Sequence, residues 1–101
     1  MKLVIHSSPL EGRDEEFNEW YDTVHLKEVL DIPGVASGAR YRVRSAGRGP
    51  GTEHRYATVY EIDGNPEAVL AEIFARSRDG RFQLSDSIDA AGTRMHFWEE
   101  L

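Results

Sequence analysis

The stretch DEEFNEWYDTVHLKEVLDIPG, Asp14 to Gly34, reads as an amphipathic helix closed by a Pro-Gly turn. Phe17, Trp20, Tyr21 and Val24 fall at i, i+3, i+4 and i+7, the spacing of one helical face. Asp14, Glu15 and Glu16 fill the first turn and Lys27 lies late, an order that suits the helix dipole. Asp14 is the expected N-cap. Pro33 cannot continue a helix interior, and Gly34 lets the chain turn away. His25 follows Tyr21 by four residues, so the two side chains are neighbours. At about 100° per residue, His25 sits at the edge of the aromatic stripe. A titratable group therefore stands beside a phenol at a core boundary.

The flanking segments supply strands. Leu3 to Ser8 is a short apolar strand closed by Ser7-Ser8-Pro9, and Leu10 to Arg13 is a loop. Val35 to Ser45 is a second strand, with Ala39, Tyr41 and Val43 on one face and Arg40, Arg42 and Arg44 on the other. That arginine row reads either as an anion clamp or as a solvated face. Ala46 to Glu53 is a mobile hairpin loop. It lacks P-loop spacing and its lysine. His54 to Ile62 is a third strand, placing Tyr56, Thr58, Tyr60 and Ile62 on one face.

Asp63-Gly64-Asn65-Pro66-Glu67 starts a second helix: Asn65 caps, Pro66 suits the first helical position, and Glu67 favours the dipole. This helix runs to about Arg78, with Val69, Leu70, Ile73, Phe74 and Ser77 inward. Arg81 to Asp89 is irregular and reads as a lid or a tether, with Phe82 and Leu84 as its apolar residues. Thr93 to Trp98 is a last strand, with Met95 and Phe97 on one face and Arg94, His96 and Trp98 on the other.

Strand, helix, strand, strand, helix, strand is the split βαβ, or ferredoxin-like, order of an α+β domain. Right-handed crossovers place the first strand between the third and the fourth. Two helices then cover one face of a four-stranded antiparallel sheet. The other face also carries apolar and aromatic residues, since Val4, Val59 and Trp98 alternate with Ile5, Tyr60 and Phe97. A sheet with one solvated face alternates more cleanly. A second protomer is the expected cover, giving a symmetric homodimer.

At 101 residues the chain is a single domain, residues 1–101, with a thin core. A net charge of -6 argues against nucleic-acid binding by phosphate neutralisation. No stretch is long and apolar enough to span a membrane. With no cysteine there is no disulfide, thiolate metal site or cysteine nucleophile, which fits a cytoplasmic protein.

The first helix with Trp20-Tyr21 and His25, running into Ile32-Pro33-Gly34, resembles the dimeric α/β-barrel superfamily and, within it, EthD-type proteins. In these a helical histidine precedes a Pro-Gly turn and a tyrosine-bearing strand. His25, Pro33, Gly34 and Tyr41 match those positions. The likeness covers nearly the whole chain in layout and residues 17 to 43 in motif. Where EthD-type sequences typically carry proline soon after the histidine, this chain has Leu26-Lys27-Glu28. The resemblance implies a cavity between helices and sheet in each protomer. The superfamily includes cofactor-free oxygenases, polyketide cyclases, lactone isomerases, haem enzymes and non-catalytic proteins, so fold alone does not select among them.

The leading candidate chemistry is acid/base catalysis by His25, whose imidazole takes and gives protons near neutral pH. Tyr21 would orient it or polarise a substrate carbonyl. Tyr41, Tyr56, Tyr60 and Trp98 are the expected substrate-binding residues, with Trp98 placed at either the cavity or the dimer seam. The expected reaction is a cofactor-independent isomerisation, cyclisation or decarboxylation of an oxygenated, partly apolar metabolite of polyketide, aromatic or lactone type. The alternative is a non-catalytic ligand-binding or accessory dimer in which His25 is a packed core residue. A cofactor-free or haem-dependent monooxygenase ranks lower. No cofactor and no metal are expected, since the four histidines lack local ligand spacing. If the first and last strands are neighbours, His6 and His96 share one sheet face, where an interface pair is favoured over a catalytic one; the sequence does not say whether they meet. No G-x-S-x-G elbow is present.

Overall fold

A computed structural model describes residues 1–49 and 53–101. The elements are β1 (Lys2–Ser7), α1 (Asp14–Trp20), a π-helical segment (Tyr21–His25), α2 (Leu26–Leu30), β2 (Val35–Arg42), β3 (Tyr56–Ile62), α3 (Pro66–Arg78) and β4 (Arg94–Trp98). The strand order is β2-β3-β1-β4, and every pair is antiparallel. This is the ferredoxin-like arrangement expected from the element order. β2 and β3 are shorter than their sequence patterns, although Val43 N–H still donates to the Arg55 carbonyl at 2.9 Å. The middle of the expected hairpin loop, residues 50–52, lies outside the described residues. Among the described residues, no helix is long and apolar enough to cross a membrane.

α1, the π segment and α2 form one continuous helical rod. Its buried stripe runs Phe17, Tyr21, Val29, with His25 half-buried between them, so inward positions recur every four residues. A straight α-helix advances about 400° over four residues and drifts about 40° from its stripe each time. Over three such steps Val29 would stand about 120° away from Phe17. The π turn, with its i→i+5 bonds, takes up the extra residue and keeps the stripe over the sheet.

Asp14 is the first helical residue rather than the cap, which falls on Arg13. Its carboxylate is drawn instead to the end of β3, where it accepts from Arg55 Nη1 at 3.0 Å and from the Tyr56 hydroxyl at 3.0 Å. Asn65 caps α3 as expected, accepting from Ala68 N–H at 3.1 Å. At the Pro-Gly turn, Gly34 has φ +99°, and a Cβ there would stand 2.9 Å from Val69 Cγ2. The position needs glycine for both its conformation and its space.

Leu3, Ile5, Tyr60 and Ile62 from the sheet pack against Val29 and Ile32, Val69 and Ile73, and Phe82. Phe74 departs from the expected inward stripe of α3: it is 45% exposed. Segment 79–93 is strapped over the space between the helical rod and α3. Phe82 N–H donates to the Arg76 carbonyl at 3.1 Å and Leu10 N–H to the Ser87 carbonyl at 2.7 Å. Asp89 N–H donates to the Ser8 carbonyl at 2.9 Å.

On the face away from the helices, Val4 and Ala57 are buried while Tyr41 and Trp98 remain 55% and 53% exposed. These residues, with His6, Val43 and Val59, line a hollow of about 370 Å³.

Candidate functional site

The π turn carries both Tyr21 and His25, and π turns within α-helices occur frequently at functional sites. Above the sheet the two line a cavity of about 380 Å³. Ile5 and Met95 belong to its sheet wall, Val29 and Ile73 to its helical walls, and Leu84, Ile88 and Ala90 to the strap. Phe74 and Leu84, the latter 68% exposed, form an apolar mouth. This explains why Phe74 is not sealed in the core.

His25 is fixed on three sides by aromatic rings. Trp20 stacks on it with ring centroids 4.8 Å apart, and Tyr21 and Phe82 meet it edge-on at 5.0 and 5.2 Å. Its Nδ1 lies 3.3 Å from Glu28 Oε1. The other Glu28 oxygen accepts the backbone N–H of Gln83 at 2.7 Å, and Trp20 Nε1 donates to the Gln83 carbonyl at 2.7 Å. One carboxylate and one indole thus bind the strap and hold the imidazole together. Burial pushes the His25 pKa below its ordinary 6.5, while the hydrogen bond and charge of Glu28 pull it upward. With Nδ1–H directed to Glu28, Nε2 is the basic nitrogen, and no described residue hydrogen-bonds it. A ring held in one tautomer with its other nitrogen open can take a proton from a bound molecule.

Tyr21 presents its ring to the cavity while its hydroxyl neighbours Thr58 and Tyr60. Burial raises the Tyr21 phenol above its ordinary range, against the opposing pull of Thr58, Tyr60 and Arg40. Tyr60 is raised as well, first by burial and then by Tyr21. Both phenols therefore stay protonated at neutral pH. Arg40 stands with its guanidinium 4.4 Å over the Tyr21 ring and donates to Asp22 at 2.8 Å and Asn18 at 2.9 Å. Of the arginine row, Arg40 is thus a paired group beneath the helix, while Arg42 is exposed on the edge strand.

The remaining expected substrate-binding residues do not gather at His25. Tyr60 is wholly buried below the cavity. Gly38 accommodates it, since a Cβ there would stand 2.8 Å from Tyr60 Cδ1. Tyr56 is taken by Asp14. Tyr56 and Tyr41 line a separate shallow hollow of about 290 Å³ with Arg40 and Arg42. Tyr41 also faces the open side of the sheet with Trp98, which places Trp98 at that face and outside the His25 cavity. Strand parity separates them: Gly38 and Arg40 point to the helices, so Ala39 and Tyr41 point away.

Sequence reasoning missed two residues of the site. Glu28 lies three positions after His25, a spacing that places both on one side of a helix. Ser7 was read only as part of the segment that closes the first strand, and it joins the cavity's sheet wall.

On the open face, His6 and His96 have ring centroids 6.4 Å apart, and His54 joins them at 5.6 Å from His6. Among the described residues, no group of three or more His, Cys, Asp or Glu is placed to hold a metal ion.

Two solved structures share this fold over their length. One is an ethyl tert-butyl ether D (EthD) family protein from Bacillus halodurans, with a TM-score of 0.57 and 15% identity, covering 100% of this chain and 99% of that one. The other is HapK from Hahella chejuensis, with a TM-score of 0.57 and 19% identity, covering 100% of this chain and 93% of that one. No family model and no curated protein matches the chain. The chain has the EthD-like α+β fold, as its first helix suggested.

Proposed function

We propose that this chain is a small cofactor-independent enzyme that moves a proton on an oxygenated, partly apolar metabolite of polyketide, aromatic or lactone type. The observation carrying this reading is His25: its Nδ1 meets Glu28, and its ring belongs to the wall of an apolar cavity of about 380 Å³. A histidine that only filled a core would have at most a water beside it, which occupies about 30 Å³. Nε2 takes a proton from the carbon beside a substrate carbonyl, and the electron pair passes into an enolate. Returning that proton to another atom gives isomerisation. Attack of the enolate carbon on a second carbonyl, with the imidazolium returning its proton to the alkoxide formed, gives cyclisation; in decarboxylation a β-keto acid gives its carboxyl proton to Nε2, loses carbon dioxide to leave an enolate, and takes the proton back on carbon. Tyr21 acts as a positioning residue, through its edge-on contact with the imidazole. The working form is a cytoplasmic homodimer joined through the open sheet face.

Deuterium exchange tests this without knowledge of the product. Candidate polyketide-type, aromatic and lactone carbonyl compounds are incubated in D2O and their α-carbon protons followed by NMR. The wild type exchanges at least one class, and His25→Ala slows exchange on the order of 10²- to 10⁴-fold, the range for a lost general base. Undiminished exchange by His25→Ala removes His25 from the role. Binding without exchange in the wild type favours a ligand-binding protein instead.

A further inference from the structure

We propose that Ser7 is the inner hydrogen-bonding anchor of the cavity, taking the oxygen of an otherwise apolar ligand. This rests on the reading of the cavity as a small-molecule site. Three buried side-chain polar atoms have no hydrogen-bond partner among the described residues: Ser7 Oγ, Arg40 Nε and Tyr60 OH. Only Ser7 lines the cavity that holds His25.

The other hydroxyls of the cavity wall are already engaged. Ser77 donates to the Ile73 carbonyl at 2.9 Å, Ser85 pairs with Ser87 at 2.6 Å, and Thr93 donates to the Asp89 carbonyl at 3.1 Å. Each is a local bond that its own segment explains. Ser7 has no such bond, and it is 1% exposed, so bulk water does not satisfy it. An unpaired buried hydroxyl costs stability, and alanine would relieve that cost without opening a large void. An unpaired polar atom held at a cost, in a residue that lines an apolar cavity, belongs to what the cavity binds.

The placement also orients the ligand. Ser7 lies on the sheet at the inner wall, whereas Phe74 and Leu84 are exposed at the mouth. The ligand's oxygen enters first, toward Ser7 on the sheet wall. Its apolar body fills the outer part. The class is an amphipathic molecule with a carbonyl or phenolic oxygen at one end, rather than one polar along its length.

A matched pair of probes, 2-naphthol and naphthalene, tests this by titration against ¹⁵N-labelled wild type and Ser7→Ala. The wild type is expected to bind 2-naphthol on the order of tenfold more tightly, with shifts at amides around Ser7 and His25. Ser7→Ala is expected to bind both equally and to melt at the same temperature or higher. Discrimination that survives in Ser7→Ala overturns the anchor while leaving the cavity a binding site. A Tm several degrees lower in Ser7→Ala also overturns it, because the hydroxyl would then be structural. Failure of both probes to bind the wild-type cavity overturns the small-molecule reading and the anchor with it.

Discussion

Trp20 and His25 lie face to face, their ring centroids 4.8 Å apart and their planes 12° from parallel, although they are five positions apart in the chain. In a straight α-helix residues five apart stand about 140° around the axis and do not meet. The π turn from Tyr21 to His25, bonded i→i+5, brings the second ring over the first. The same indole donates to the Gln83 carbonyl. One side chain therefore shields the imidazole and holds the strap over the cavity.

Replacing Trp20 with alanine should uncover His25. Burial is the main cause of the lowered His25 pKa, so Trp20→Ala should raise it toward 6.5. NMR titration of the His25 ring proton reads this directly. The substitution should also cost on the order of 2 kcal/mol in urea unfolding, less than a fully buried tryptophan because Trp20 is only half-buried. Trp20→Phe keeps a stacked face and should leave the pKa near the wild-type value while losing the bond to Gln83. An unmoved pKa in Trp20→Ala would mean that other walls of the cavity exclude the water.

The two sides of the sheet were unequally legible in the sequence. Alternation in β1, β3 and β4 assigned their faces correctly, because a strand's period of two needs no knowledge of its neighbours. The helical stripe was harder. Phe17, Tyr21, His25 and Val29 repeat every four residues, and that interval signals a turn wider than α once three repeats are counted. Reading only Phe17 to Val24 conceals it. The tyrosines show the other limit. Tyr21, Tyr41, Tyr56 and Tyr60 look equivalent as phenols, yet sheet parity and tertiary packing send them to different surroundings, and only Tyr21 lines the His25 cavity. Ser7 was unreadable for a different reason. Whether a hydroxyl is satisfied depends on distant chain, here the segments that bring Ser85 and Thr93 to the same cavity.

Acid should weaken the fold before its carboxylates titrate. The His6 pKa is lowered first by burial and then by His54 and His96, and across the ladder His6 faces Arg94, a further cation. His25 is lowered as well. A histidine with a folded pKa below its unfolded value binds fewer protons folded than unfolded, so stability rises with pH through that interval. Its unfavourable contribution is absent above about 6.5, grows as pH falls and is complete below the folded pKa. Glu61 and Glu72 have lowered pKa values through Lys2 and Arg76, so stability they lend is lost only below 4.5. Urea midpoints at pH 7.5, 6 and 5 should therefore fall already in the upper interval. His6→Gln should flatten that slope. An unchanged slope would assign the effect to His25 alone.

The open sheet face makes the last prediction. Val4 and Ala57 are buried on it, but Tyr41 and Trp98 are 55% and 53% exposed around a hollow of about 370 Å³. Two large half-exposed aromatics beside valines form a contiguous apolar patch, the kind of surface that marks an interface. A second copy presents the same patch, and a two-fold axis through the sheet face would cover both at once. Light scattering at micromolar concentration should give twice the chain mass. Tyr41→Glu with Trp98→Glu should give a folded monomer, because both side chains are on the surface and neither lines the His25 cavity. His6 stands on the same face, so two copies of it would come near the seam, and the dimer should loosen as acid charges them. Monomer mass for the wild type at pH 7.5 would leave this face uncovered and remove the dimer.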